Sequence, residues 1–309
     1  MKRKIVVLAG GTGGAKLAHG FYKESDRCFL TVITNPGDDI ELFGLPVWPD
    51  FDTVVYMLSE HLDESKGWGV KNDTGYVINQ LQKLGEETWF WLGDRDLATH
   101  MLRQRLRLLG KRRTDIAKVI CERFGISCTI IPPSDQPVAT RVHTDIGDLG
   151  MQEYYVRYKC QPHVEGVTFE GKAYASKEAR QALGEADAIV IGPSNPFLSI
   201  GPILWVRPLM EILHKIKQKV WVVSPIIKNR SLKGPTADMF MQLGVEPSIY
   251  SLGALYMQIA ENILIDTNDN DKAELLNKLG YKRVVCCDIV MKDVEDRQRF
   301  ARNILGLLE

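Results

Sequence analysis

Glycines, carboxylates and tryptophans are grouped along this chain at spacings that suit phosphate chemistry. The stretch "VVLAGGTGGAKLAHG" (5–19) ends an apolar run at Ala9 and turns through Gly10, Gly11, Thr12, Gly13 and Gly14 before Lys16. Backbone N–H groups left bare by glycine, at the start of a helix whose dipole favours negative charge, form an anion cradle. Gly11 and Gly13 fit G-x-G-x-x-G, but Lys16 holds the third position, and the Gly-Lys-Ser/Thr ending of a P-loop is missing. Lys16 either adds a positive charge to the cradle or is a solvated surface lysine. Four carboxylates then fall within fifteen residues: Asp38 and Asp39 in "NPGDD", Asp50 and Asp52 in "WPDFDT". Magnesium suits such a group, because it takes a few carboxylates together with phosphate oxygens. Helix capping is the plainer role for Asp39 and Asp52, and Asp52 directly precedes "TVVYMLSEHL". Asp50, between Trp48–Pro49 and Phe51, has no evident structural duty.

Two further groups stand out. In "TWFWLGDRDLATH" (88–100), Trp89 and Trp91 alternate as in a strand, and Asp94 or Asp96 caps the helix that follows. The tryptophans are either core residues or a stacking surface for a flat ring. His100 is either an acid–base group or a helix-borne core or surface histidine. "GPSNP" (192–196) and "SPIIK" (224–228) are polar turns after apolar runs, with Ser194 and Asn195 in the first. Ser224 lies outside any G-x-S-x-G elbow, so nucleophilic hydrolysis finds no support. The basic run "RQRLRLLGKRR" (103–113) has helical spacing and no interleaved aromatics, and reads as a solvated face rather than a nucleic-acid patch.

The elements that must hold these groups read as an α/β, Rossmann-like fold with a mostly parallel sheet and helices on both faces. "KIVVLA", "CFLTVITN", "CTIIP", "EADAIVIGPSN", "KVWVVSPI" and "YKRVVCCDIVM" are continuous apolar runs separated by helical patterns. Four of the polar turns would then share the carboxyl edge of the sheet, where ligands collect in open α/β folds. A mostly helical segment is expected from about 52 to 126. Residues 136–175 alternate polar and apolar, carry aromatics and show no helical period, so they read as an antiparallel insert. The expected division is a nucleotide-binding core of 1–135 and 176–309 with that insert between.

Composition excludes several classes. Lys plus Arg balances Asp plus Glu at 39 each, which gives no general pull towards nucleic acid or membranes. The six cysteines show no CxxC pair, and the six histidines form no zinc-type spacing. The first apolar stretch is too short for a signal peptide, and none approaches the ~20 residues of a membrane helix. A cytoplasmic homodimer is expected.

Taken together, "VLAGGTGGAKLAHG", "NPGDD", "GLPVWPDFDTVVYML", "GWG", "WFWLGDRDLATH", "YYVRY", "GPSNPFLSIGPIL" and "SPII" resemble the 2-phospho-L-lactate transferases of coenzyme F-420 biosynthesis. The resemblance spans nearly the whole chain, and its long segments are specific where the glycine loop is not. It implies transfer of a phospholactyl or phosphoenolpyruvyl group from a lactyl- or enolpyruvyl-diphosphoguanosine donor to the ribityl hydroxyl of the deazaflavin Fo, with GMP released. It further implies that Gly11, Thr12, Gly13 and Gly14, with Ser194 and Asn195, cradle the diphosphate. Asp39 and Asp50 become the Mg²⁺ and hydroxyl-orienting residues, and Trp89 lies on the deazaflavin side. Gly13→Val is expected to weaken guanine-nucleotide binding without unfolding the chain. The alternative is a non-enzymatic nucleotide-sugar-binding regulator of the same fold. An NAD-dependent dehydrogenase fits poorly, because strand two ends in "NPGDD" rather than a lone acid.

Overall fold

A computed structural model describes residues 2–308. Strand β1 (Arg3–Ala9) runs through the glycine turn into helix α1 (Gly11–Tyr22), and β2 (Cys28–Thr34) pairs with β1 in parallel along its full length. A hairpin of β3 (Ile40–Leu42) and β4 (Leu45–Val47) leads to α2 (Pro49–Leu58). Helices α3 (Tyr76–Lys83), α4 (Asp94–Leu108) and α5 (Arg113–Arg123) follow, before β5 (Thr129–Ile131) pairs with β2. A separate antiparallel sheet then forms from β6 (Ala139–Thr144), β7 (Gly147–Gly150) and β8 (Val164–Glu170). After α6 (Lys177–Glu185), β9 (Ala188–Ile191) rejoins the main sheet beside β1. Short helices α7 (Gly201–Trp205) and α8 (Leu209–Lys215) lead to β10 (Val220–Val223) and a small hairpin, β11 (Ile226–Ile227) with β12 (Arg230–Ser231). The chain ends through α9 (Thr236–Gln242), α10 (Ile249–Tyr256), β13 (Asn262–Asp266), α11 (Ala273–Leu279), β14 (Arg283–Cys287) and α12 (Val294–Gly306).

The main sheet has the order β14-β13-β10-β9-β1-β2-β5, and every pairing in it is parallel. The α/β class with helices on both faces is therefore as expected. Alternation explains the two covered faces: Ile5, Val7 and Ala9 of β1 pack with Leu17, Phe21, Val54, Ile120 and Phe300 on one side. Val6 and Leu8 pack with Leu183, Ile189, Ile191, Leu213 and Leu252 on the other. The chain moves outward from β1 in one direction and, from β9, in the other. The crevice of a doubly wound sheet opens at that reversal, beyond the carboxyl ends of β1 and β9.

Three local expectations need correction. Trp89 and Trp91 lie in an irregular segment, not a strand. Strand β13 lies in "NILID", a five-residue run that is not among the strands expected from the sequence. The antiparallel stretch is interrupted by a helical turn through Glu153–Arg157, which buries Tyr154 and leaves Tyr155 exposed. Among the described residues no helix is long and apolar enough to cross a membrane.

Candidate active site

Glycine shapes the crevice in two ways. Gly11 takes φ +62°, the left-handed turn that lets the chain leave β1 and begin α1 at once. Gly13 faces the exit of β9, where a Cβ would collide with the Pro193 carbonyl oxygen; a Cβ on Gly14 would meet Ala9 Cα at 2.7 Å. Close packing of helix against strand, not open space, is what Gly13 permits. The expectation that Gly13→Val leaves the fold intact is therefore revised. The N-cap Gly10 has no side chain to cap α1, and Asp50 takes only the Gly11 amide, so the amides of the next residues remain for the crevice.

The predicted partners from the β9 side stand beside this turn, but their side chains hold the fold. Ser194 Oγ donates to the Gly10 carbonyl at 2.6 Å. Asn195 Oδ1 accepts the Phe197 and Leu198 amides at 2.8 and 3.0 Å, starting the turn that enters α7. Thr12 Oγ1 donates to the Gly67 carbonyl at 3.1 Å. Lys16 points elsewhere: its ammonium donates to the Met291 carbonyl at 2.8 Å, and burial lowers its pKa.

Asp50 sits in the first turn of α2, only 6% exposed. Its Oδ1 accepts the Gly11 amide at 2.6 Å and its Oδ2 accepts Asn35 Nδ2 at 2.9 Å. Asn35 is itself fixed, donating to the Leu198 carbonyl at 3.1 Å and accepting the Gly37 amide at 2.8 Å. Burial pushes Asp50 up to about 6 against these two bonds. Asp38 is also buried, and its Oδ2 accepts Gln152 Nε2 at 3.2 Å. Burial, then the charges of Asp50 and Asp39, raise it well above the carboxylate range. Asp39 precedes a strand rather than a helix, so it caps nothing; it pairs with Arg113, while burial still pushes it up to about 7. One oxygen of Asp38 and one of Asp39 are buried without a hydrogen-bond partner. Asp38, raised by the neighbouring charge of Asp50 and with one oxygen free, offers together with Asp50 the oxygen-only ligands that a hard divalent cation such as Mg²⁺ takes. Asp39 is engaged by Arg113, and among the described residues the three do not form one cluster.

Asp52 is not the cap of α2 either. It lies inside the first turn and pairs with Arg103, which is wholly buried. Arg103 also donates to the Pro46 carbonyl at 2.9 Å and meets His100 Nδ1 at 2.9 Å. Asp52, Asp96 and His100 offer atoms within 4.8 Å of one another. Arg103 takes one oxygen of Asp52 and the Tyr56 hydroxyl donates to Asp96 at 2.7 Å, while the other Asp52 oxygen and His100 Nε2 are buried without a hydrogen-bond partner. This is an ion-pair network that holds α4 on α2. Its guanidinium and that of Arg113 each stack 4.5 Å from the Trp48 ring. The basic run is therefore solvated at Arg105 and Arg107 but not at Arg103 or Arg113. Asp96, His100 and Arg103 share one helix face at i, i+4 and i+7, and that spacing was the available signal.

Capping is reciprocal around "GDRD". Asp94 accepts the Tyr76 and Val77 amides at 3.0 and 2.9 Å, so it caps α3. Asp73 accepts the Arg95 and Asp96 amides at 2.8 and 3.0 Å, so it caps α4. Trp89 packs edge-on to Phe90 at 5.8 Å, with Arg157 5.9 Å from its ring. The aromatic pair tied to the glycine turn is instead Trp68 with Trp91, 5.9 Å apart, because Trp68 follows Gly67.

The family model described as 2-phospho-L-lactate transferase CofD matches residues 5–304. A 2-phospho-L-lactate transferase of Methanosarcina acetivorans is 34% identical over 99% of each chain. That of Methanopyrus kandleri is 37% identical over 100% of this chain and 99% of its own. A phosphoenolpyruvate transferase of Streptomyces coelicolor is 34% identical over 99% and 98%. Among solved structures, a UPF0052 family member from Bacillus halodurans shares the fold, with a TM-score of 0.66 at 18% identity and 99% of both chains covered.

Proposed function

The chain belongs to the 2-phospho-L-lactate transferase family CofD, and on that premise we propose that it moves a phospholactyl or phosphoenolpyruvyl group from a guanosine-diphosphate-linked donor to the terminal hydroxyl of the deazaflavin Fo. The observation that carries this reading is Asp50, buried at the crevice and held by the Gly11 amide and Asn35. The amides of Thr12, Gly13 and Gly14, on the turn at Gly11 whose own amide Asp50 holds, bind the diphosphate, and the backbone at Ser194 and Asn195 closes it from the β9 side. Lys16 lends charge only through space, its ammonium being engaged with Met291.

The Fo hydroxyl oxygen attacks the phosphorus that bears the acid, and the bond from that phosphorus to the GMP oxygen breaks. Asp50 accepts the hydroxyl proton, a task suited to a carboxylate raised to about 6. Positioning and charge neutralisation carry most such transfers. Asp38 and Asp50 would hold Mg²⁺, with Asp39 reaching it only by giving up Arg113, and the ion would supply positive charge against the diphosphate. The aromatic pair beside the glycine turn, Trp68 with Trp91, offers the stacking surface for the deazaflavin ring, and Trp89, packed on Phe90 and Arg157, is the second candidate.

The test is incubation with Fo, Mg²⁺ and either the lactyl- or the enolpyruvyl-diphosphoguanosine, following GMP and the Fo product by chromatography. GMP and product rising together support the reading. Nucleotide bound without GMP release makes the protein a non-enzymatic binder and overturns it.

A further inference from the structure

The "SPIIK" turn has a consequence of its own. Ser224 ends β10 with a tight turn, its hydroxyl accepting the Ile226 amide at 3.0 Å and donating to the Ile226 carbonyl at 2.7 Å. The hairpin β11–β12 is then fixed at its tip, where Asp269 accepts the Lys228 amide at 3.1 Å. Its return is fixed as well: the Leu232 amide donates to the Pro225 carbonyl at 2.9 Å, and Ser231 Oγ accepts the Ala237 amide at 2.7 Å. Between these anchors lies Lys233. Its ammonium reaches back to the glycine turn, 3.3 Å from Thr12 Oγ1, and a Cβ on Gly67 would lie only 2.6 Å from it.

The next residue closes a ring. A Cβ on Gly234 would meet the Tyr155 hydroxyl at 3.3 Å, and Tyr155 feels the charge of Asp50. Asp50 in turn binds the Gly11 amide. Turn, hairpin and tyrosine thus encircle the mouth of the crevice. Lys233 is exposed, and among the described residues no carboxylate pairs with it. A lysine held at the glycine turn, with only the neutral Thr12 hydroxyl as partner, is a cation lacking its anion. Lys16, the lysine the sequence singles out, cannot serve at the same place while it bonds Met291.

We infer that Lys233 is the phosphate-binding cation of this crevice: its ammonium leaves the Thr12 hydroxyl and bonds the diphosphate oxygens of a guanosine-diphosphate ligand lying on the glycine turn. The inference rests on the phosphoryl-transfer reading of the site and adds to it a residue and a device, the hairpin that delivers the charge.

Calorimetric titration tests it with GDP and, separately, guanosine, on wild type, Lys233→Gln, Lys233→Arg and Arg230→Gln. Arg230 lies on the same hairpin, so its loss removes the same charge without the contact. Lys233→Gln should weaken GDP about tenfold or more and leave guanosine unchanged. Lys233→Arg should recover most of the affinity, and Arg230→Gln should match wild type. If wild type binds GDP and Lys233→Gln binds it equally, the inference is wrong and the reading of the site stands. Equal loss in Arg230→Gln, or loss of guanosine together with GDP, also overturns it, because net charge or pocket shape would then explain the effect. If wild type itself binds no GDP, the phosphoryl-transfer reading fails with it.

Discussion

Asp50 shows how a single carboxylate is both placed and tuned. Pro49 starts α2, which puts Asp50 in the first helical turn, and the Gly11 amide and Asn35 then fix both oxygens. Asp50→Asn keeps the shape and one of the two bonds, since its new NH₂ would face the Asn35 NH₂ as donor against donor. One buried hydrogen bond lost costs about 1 kcal/mol, offset by removal of a buried charge. We expect a melting temperature within a few degrees of wild type, by rough conversion of that cost, and turnover reduced by about 10²–10⁴-fold. GMP release and melting on one preparation decide it; a wild-type rate removes Asp50 from the reaction. The pH profile carries the same prediction. On the proposed role Asp50 accepts the proton as the carboxylate, and since it is raised to about 6, kcat should fall towards tenfold per unit as pH drops below that value. Asp50→Asn should abolish that limb.

At the scale of elements, the joint between α2 and α4 depends on one guanidinium. Arg103 pairs with Asp52, donates to Pro46 and stacks on Trp48, the residue before Pro49. Arg103→Ala leaves the Asp52 carboxylate buried and unpaired, which should cost about 3–5 kcal/mol in urea unfolding. Adding Asp52→Asn should recover part of that loss; no recovery would mean that packing on Trp48, not charge, holds the joint. The joint between α1 and β9 depends on an absence. Gly13→Val drives a Cβ into the Pro193 carbonyl, so the variant should lose about 1–3 kcal/mol or more by overpacking and lose nucleotide binding along with it. A Gly13→Val protein that melts like wild type would show that β9 yields.

Across the whole molecule, the sheet gathers the carboxylates of the connection from β2 to β5 at one edge, and stability depends on what neutralises them. Asp38, Asp39 and Asp50 are all raised in the folded chain, Asp39 to about 7 and Asp50 to about 6. Between about pH 4 and these values the folded state binds more protons than the unfolded one, so these groups lower stability as pH rises. His19, buried and held down to about 4, acts in the opposite sense. The increment caused by Mg²⁺ separates the two. If the carboxylates hold the ion, Mg²⁺ should raise the melting temperature clearly at pH 7.5 and hardly at pH 5, where protons compete. An increment equal at both values would place the ion elsewhere or nowhere.

The fold class was legible in the sequence because buried parallel strands are continuous apolar runs, and "KIVVLA" or "KVWVVSPI" admits few other environments. The glycine turn was legible as a strand-to-helix connection, and Asp50 as a carboxylate with no local duty. Local composition determined that much. The partners were not legible. Asp52 and Arg103 are 51 positions apart, Asp39 and Arg113 are 74 apart, and Thr12 and Lys233 are 221 apart. No spacing rule reaches so far, and a surface arginine and a buried one look alike in a helical run. Caps were misread for the same reason, since the acceptor of α4 is Asp73 rather than its own first residues. Only the tertiary structure decided which lysine faces the crevice. The sequence puts Lys16 beside the glycines, but one helical turn rotates it to Met291, while the sheet brings the β10 hairpin and Lys233 to the place it leaves.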